Sequence, residues 1–269
     1  MNFIDTHCHI HDPEFTLKYD ISVDQIIKDA AVVGVGSYIC VGTDAKSSQQ
    51  ATVFAKNHDG AFASLAIHPH EVANETDEHI DAEFKLVEQL ARENHKKVIA
   101  IGECGLDYFY HESESVQNSQ KRLFKMHLDL AIERDLPLIF HIRSAFDDFF
   151  AILDEYAAAG HKIRGVVHSF SAGMIELQGC LDRDLFLGLN GIMTFTKDES
   201  QLAAARAVPL TKMLLETDAP FLTPKPFRGK MCQLKHVVVT GQFLSELRNE
   251  PLEVIANATT TNAKSLFSL

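Results

Sequence analysis

The first apolar run of the chain reads "FIDTHCHIHD", with His7, His9 and His11 at alternate positions. Alternate residues of a strand point to one side, so His7 and His9 can reach a single point as two ligands of a metal would. Later apolar runs also end in groups that bind metals: His68 in "AIHPH", Glu103 in "AIGEC", His141 in "LPLIFHIR", His168 in "GVVHSF" and Asp218 in "LLETDA". One such histidine is more often a buried residue satisfied by hydrogen bonds. Repetition of the pattern at the ends of successive runs argues for a common centre. His7, His9, His141, His168, Glu103 and Asp218 offer imidazole and carboxylate donors, a set that suits zinc, manganese, nickel or iron. They are too many for one catalytic ion, which keeps an open position. A carboxylate can bridge two ions about 3.5–4 Å apart, and between such ions a water becomes a nucleophile near neutral pH. Glu103 is the bridge candidate, midway between the His7/His9 and His141/His168 pairs. Asp218 would touch one ion and orient the water. The reaction this predicts is metal-assisted hydrolysis.

Positioning such groups requires strands that end together. Eight short apolar runs, from "NFIDTHCH" to "KMLLETDA", alternate with amphipathic segments such as "VDQIIKDAAVVG" and "QKRLFKMHLDLAIERD". Apolar residues in those segments recur at helical spacing, and Gly or Pro often closes them. Asp24 and Ser47 stand where helix N-caps are expected. The alternation predicts an α/β fold, a (β/α)8 TIM barrel, whose active site lies at the C-terminal ends of the strands. No linker, low-complexity tract or repeat divides residues 1–269, so one domain is expected. An open doubly wound sheet would carry a glycine-rich loop after the first strand, and none is there.

Bulk composition narrows the class. With 46% hydrophobic and 23% charged residues, the 269-residue chain has the balance of a globular protein. Nothing approaches the roughly 18 apolar residues of a membrane span, and no basic leader precedes the first run. Five scattered cysteines without a CxxC pair favour reduced thiols, so a cytoplasmic protein is expected. A net charge of −12 repels polyanions, so any nucleic-acid contact must be local, where cations or metals reverse the field.

"FIDTHCH", "AIHPH", "AIGECGLDYFY", "LPLIFHIRSAFDDFFAIL", "GVVHSFSAG", "LLETDAPFLTP" and "FRGK" together resemble the TatD family of metal-dependent deoxyribonucleases, amidohydrolase-type barrels, along essentially the whole chain. The resemblance implies two divalent ions (magnesium, manganese or zinc), with His7, His9, Glu103 and Asp218 at one and Glu103, His141 and His168 at the other. It implies a catalytic role for Asp218, Glu103 and His68, the last through contact with substrate phosphate. Many related barrels bridge their metals with a carbamylated lysine on the fourth strand; here that place holds Glu103. The chain departs from the family in "RGKMCQLKHV", where Cys232 and Leu234 stand in place of Asn and Pro. That puts substrate access, more than catalysis, in question.

Arg143, Arg228 and Lys230 are the candidate phosphate-binding residues, Arg228 foremost because Pro226 and Gly229 frame it in a turn. Tyr108, Phe109 and Tyr110 could stack on a base or pack beneath a loop. Asp107 is placed to hold a ligand histidine or its own loop. The expected substrate is a DNA end or single strand, bound locally and cleaved exonucleolytically, with no obligate protein partner and no membrane. The alternative is an ester or amide hydrolase, such as an aminoacyl-tRNA deacylase, using the same metals. A metal-binding scaffold without turnover is the third reading.

Overall fold

A computed structural model describes residues 1–73, 75–93, 95–111 and 113–269. Eight strands form one sheet in sequence order: β1 (Phe3–Cys8), β2 (Val35–Val41), β3 (Ala61–Leu65), β4 (Val98–Asp107), β5 (Leu138–Arg143), β6 (Gly165–Val167), β7 (Phe186–Leu189) and β8 (Met213–Leu215). Every neighbouring pair is parallel. The ring closes beyond β8, where Asp218 N donates to the His7 carbonyl at 2.9 Å and His9 N to that of Ala219 at 2.7 Å. The (β/α)8 barrel read from the alternation is the observed architecture.

Helices α1 (Pro13–Tyr19), α2 (Val23–Val32), α3 (Ala45–Asn57), α4 (Asp77–Arg92), α5 (Glu114–Arg134), α6 (Phe146–Ala158), α7 (Met174–Asp182) and α8 (Glu199–Ala207) lie between the strands. From α2 to α8 each buries side chains against the barrel. In α4 the buried residues are Ile80, Phe84, Val87 and Ala91, spaced as one helical face. Two further helices, α9 (Val237–Arg248) and α10 (Leu252–Phe267), follow the barrel. Ala263, Leu266 and Phe267 of α10 pack with Ile4, Ile39, Ile99, Ile139, Val166 and Leu214. Ile4, Ile99, Ile139, Val166 and Leu214 precede the strand-end histidines and carboxylates along their strands, so α10 plugs the opposite end of the barrel. No helix among the described residues is long and apolar enough to cross a membrane.

Two expected caps are corrected. Ser22, not Asp24, holds the N-cap position of α2, and Asp24 sits in its first turn. Asp44 caps α3, its carboxylate accepting from Ser47 N at 2.6 Å. A carboxylate is the stronger acceptor for an exposed main-chain N–H, and the Ser47 hydroxyl instead meets His11 Nε2 at 3.2 Å. The atypical "MCQL" segment is an internal packing element: Cys232 and Leu234 are both fully buried. All five cysteines are buried and free.

Candidate metal centre

Glycines on either side of Glu103 let β4 press against β5. Gly102 and Gly105 have φ of +143° and +148°, and a Cβ on either would strike the carbonyl of Ile139 or His141. The close approach brings Glu103 to the middle of the barrel mouth, almost buried. Its Oε2 lies 3.2 Å from His7 Nε2. Its Oε1 lies 2.6 Å from His141 Nδ1, 3.6 Å from His68 Nε2 and 3.7 Å from His168 Nε2. The two oxygens thus face different sets of imidazoles. On the Oε2 side, His7 Nε2, His9 Nε2 and Asp218 Oδ1 lie 3.2, 3.3 and 3.6 Å apart. Donors bound at about 2.0–2.2 Å to one ion stand ~3.0–3.6 Å from one another, so this spacing fits a shared cation.

The outward nitrogens of the rings are a second test. A metal-ligating histidine usually gives its other N–H to an acceptor, which leaves the inner lone pair free. His9 Nδ1 meets the Val41 carbonyl at 3.0 Å and His141 Nε2 meets Asp107 Oδ2 at 3.0 Å. His168 Nδ1 lies 2.9 Å from Glu216 Oε1. That approach is too bent for a regular hydrogen bond, yet a carboxylate at this distance keeps the proton on Nδ1. His68 is the reverse case. Its Nδ1 accepts the main-chain N–H of His70 at 3.2 Å, so its proton sits on Nε2, toward Glu103. Although His68, Glu103 and His141 are close enough to hold an ion, this tautomer makes His68 a donor. His7 Nδ1 is buried without a partner.

Residues not singled out from the sequence support the centre from behind. Asp5, wholly buried, accepts from Thr217 N at 2.9 Å, Thr217 Oγ1 at 2.6 Å and His7 N at 3.3 Å, tying β1 to the Asp218 turn. Glu216 also accepts from Ser169 N at 2.6 Å. Gln120 clamps Asp107 through its main-chain N and O, at 2.9 and 3.0 Å. His70 Nε2 shares Asp107 Oδ2 at 2.8 Å. Asp5 and Glu216 sit within two residues of expected ligands, which was their only trace in the sequence.

Electrostatics follow from this packing. Burial alone would raise the Glu103 carboxyl, but the facing imidazoles of His168, His7, His141 and His68 hold it well below the usual range. Burial opposes charge on His141 as well, yet Asp107 and Glu103 raise it to about 9. His168 is raised to about 10 against its own burial, chiefly by Glu216 and Glu103. His68 is pushed down to about 4 by burial and by neighbouring His141. Burial lifts Asp5 to about 7.

A cavity of about 590 Å³ opens over the centre, lined among others by His9, His68, Glu103, His141, His168 and Asp218. Among the described residues of its lining, Arg143 is the Arg or Lys. Its guanidinium stacks 3.8 Å from the Phe109 ring and 4.9 Å from that of Tyr110. Those aromatics are exposed and serve to hold Arg143, while Tyr108 donates to Asp148 at 2.7 Å. Arg228 and Lys230 are exposed and lie outside the lining. Arg228 stacks on Phe195 at 3.8 Å and donates to the Thr223 carbonyl at 3.0 Å.

Residues 4–268 match the family described as TatD related DNase. The chain belongs to that family. The TatD resemblance carried by the motifs is therefore membership, and it makes the protein a hydrolase. A metal-dependent hydrolase of Bacillus subtilis, YabD, is 32% identical over 98% of each chain. The 3'-5' ssDNA/RNA exonuclease TatD of Klebsiella pneumoniae is 31% identical, over 91% of this chain and 92% of its own. Among solved structures, the Escherichia coli TatD homologue YjjV superposes with a TM-score of 0.88 at 29% identity, covering 99% of this chain and 98% of that one. The metal dependence named for the Bacillus relative agrees with the donor cluster around Glu103.

Proposed function

We propose that this protein is a metal-dependent exonuclease that removes nucleotides from the ends of DNA, preferring frayed or single-stranded termini. The observation that carries the reading is one cavity holding both a carboxylate-centred donor cluster and Arg143, a cation suited to phosphate. The named activity of the Klebsiella relative points the same way.

His7, His9, Asp218 and Glu103 Oε2 would hold one divalent ion; Glu103 Oε1, His141 and His168 would hold the second. Magnesium, manganese or zinc bound there would polarise the phosphodiester and make a water acidic enough to attack near neutral pH. Asp218 orients that water and accepts its proton through the oxygen not engaged by His7 and His9. His68 gives an Nε2–H hydrogen bond to a phosphate oxygen and keeps its proton. Arg143 holds the chain beyond the scissile bond, and Arg228 and Lys230, farther out, meet only longer substrates. Local cations and metals overcome an acidic surface that otherwise repels DNA.

The test is nucleotide release from end-labelled single-stranded and duplex DNA by metal-stripped protein, with magnesium, manganese or zinc returned singly. Stepwise loss from one end, dependent on metal and abolished in Glu103→Ala, is the expected result. No cleavage with any metal would overturn the reading and direct the search to carbonyl esters such as aminoacyl-tRNA.

A further inference from the structure

A second cavity, of about 400 Å³, adjoins the first, and the two share Ile142, Arg143 and Ser171. Both fall within the ~300–1,000 Å³ of small-molecule sites. Arg143 stands at their junction and makes no ion pair with a described residue, in a chain with 37 acidic and 25 basic side chains. Aromatic stacking fixes its position without neutralising it.

We infer that the cavity beyond Arg143 is a second nucleoside subsite, so that the enzyme reads a single strand at least three nucleotides long. The inference rests on the nuclease reading. His141 and Arg143 lie two residues apart on β5, about 6.6 Å by strand rise, and on the same side. That step is comparable with the distance between successive phosphates of an extended strand. With the scissile phosphate at Glu103 and His141, the next phosphate falls at Arg143, and the following nucleoside is led into the second cavity.

The lining suits a nucleoside and not a phosphate. Ser171 and the Gln201 amide nitrogen offer neutral hydrogen-bonding groups, while the Ser200 hydroxyl donates to Asp198 at 2.7 Å and Gln201 Oε1 accepts from Thr196 at 2.7 Å. Glu176 and Asp198 supply carboxylates already tied to the chain: Glu176 accepts from Gly173 N at 3.0 Å and Asp198 from Ser200 N at 2.8 Å. Fixed negative charge there repels a phosphate, while its remaining lone pairs accept from a base N–H, such as that of thymine, or from a terminal sugar hydroxyl. The charge division keeps phosphate at Arg143 and sends the sugar and base past it.

The test compares kcat/KM for thymidine di-, tri- and tetranucleotides with manganese present. Native enzyme should gain about tenfold or more from two to three nucleotides, through the hydrogen bonds of one nucleoside seated in the second cavity, and little from three to four. Ser200→Leu, which narrows the second cavity, should bring the three-to-two ratio to within about twofold; Gln201→Leu obstructs the same space independently. Circular dichroism shows that each variant is folded. A flat length series in the native enzyme, or a ratio unmoved in both folded variants, would overturn the subsite alone. Failure to cleave any of the oligonucleotides overturns both this subsite and the nuclease reading.

Discussion

Asp107 grips His141 by the nitrogen that faces away from the centre, with Oδ2 3.0 Å from Nε2. The same carboxylate takes His70 at 2.8 Å and the Phe109 N–H at 3.0 Å, and Gln120 clamps its main chain. Ring orientation at His141 is therefore set by a group that need not touch metal or substrate.

Asp107→Ala should weaken metal binding by about 10–100-fold, the usual effect of losing the outer partner of a ligand histidine. Asp107→Asn, which can still accept at one oxygen, should lose less. Equilibrium dialysis with zinc or manganese measures both. Unchanged affinity in the alanine variant would remove His141 from the ligand set or Asp107 from its support.

His68 and His9 should part company under mutation. His68 receives an N–H on Nδ1, whereas His9 gives one from Nδ1 to Val41. His68→Ala should keep nearly all bound metal and lose about 10²-fold in kcat, as for removal of a positioned hydrogen-bond donor to developing charge. His9→Ala should lose metal. Metal content by mass spectrometry, read beside steady-state rates, separates the two, and metal loss in His68→Ala would show that it is a ligand.

Stability of the metal-free protein should fall on the alkaline side. His141 is raised to about 9 and His168 to about 10, from 6.5 in the unfolded chain. A raised histidine stabilises the fold fully below the unfolded value of about 6.5 and loses that contribution as pH rises through the folded value. The urea midpoint of metal-stripped protein should accordingly drop between pH 6.5 and 10. Metal must displace these protons, so its apparent affinity should rise over the same range. A midpoint flat with pH would show that the imidazoles are not held protonated.

His127 lies far from any ligand role. It is wholly buried on α5, its Nε2 accepting from Ile67 N at 3.0 Å and its Nδ1 meeting the Leu123 carbonyl at 2.9 Å. His127→Ala leaves a cavity and an unpaired N–H one residue before His68. A loss of about 2–4 kcal/mol in unfolding free energy is expected, measurable by chemical denaturation. A loss below about 0.5 kcal/mol would mean that the segment relaxes around the gap.

The barrel and the types of residue at its mouth were legible in the sequence. Eight apolar runs alternating with amphipathic segments admit few other solutions, and in a barrel the last residues of the strands meet. That is why His7, His9, Glu103, His141 and Asp218 could be gathered from positions more than 200 residues apart. What stands behind them depends on packing across the barrel. Asp5, Glu216 and Asp107 act through contacts between strands, and no local spacing encodes which imidazole nitrogen each carboxylate will face. The same holds for the cations. A turn bounded by Pro226 and Gly229 singled out Arg228, yet Arg143 lines the cavity, because the Phe109 and Tyr110 rings hold it there. Helix starts failed for a smaller reason: Asp44 and Ser47 are both able to cap, and only the fold gave Ser47 another partner in His11. Strand order follows from periodicity, but proton placement and side-chain partnership follow from packing across the barrel.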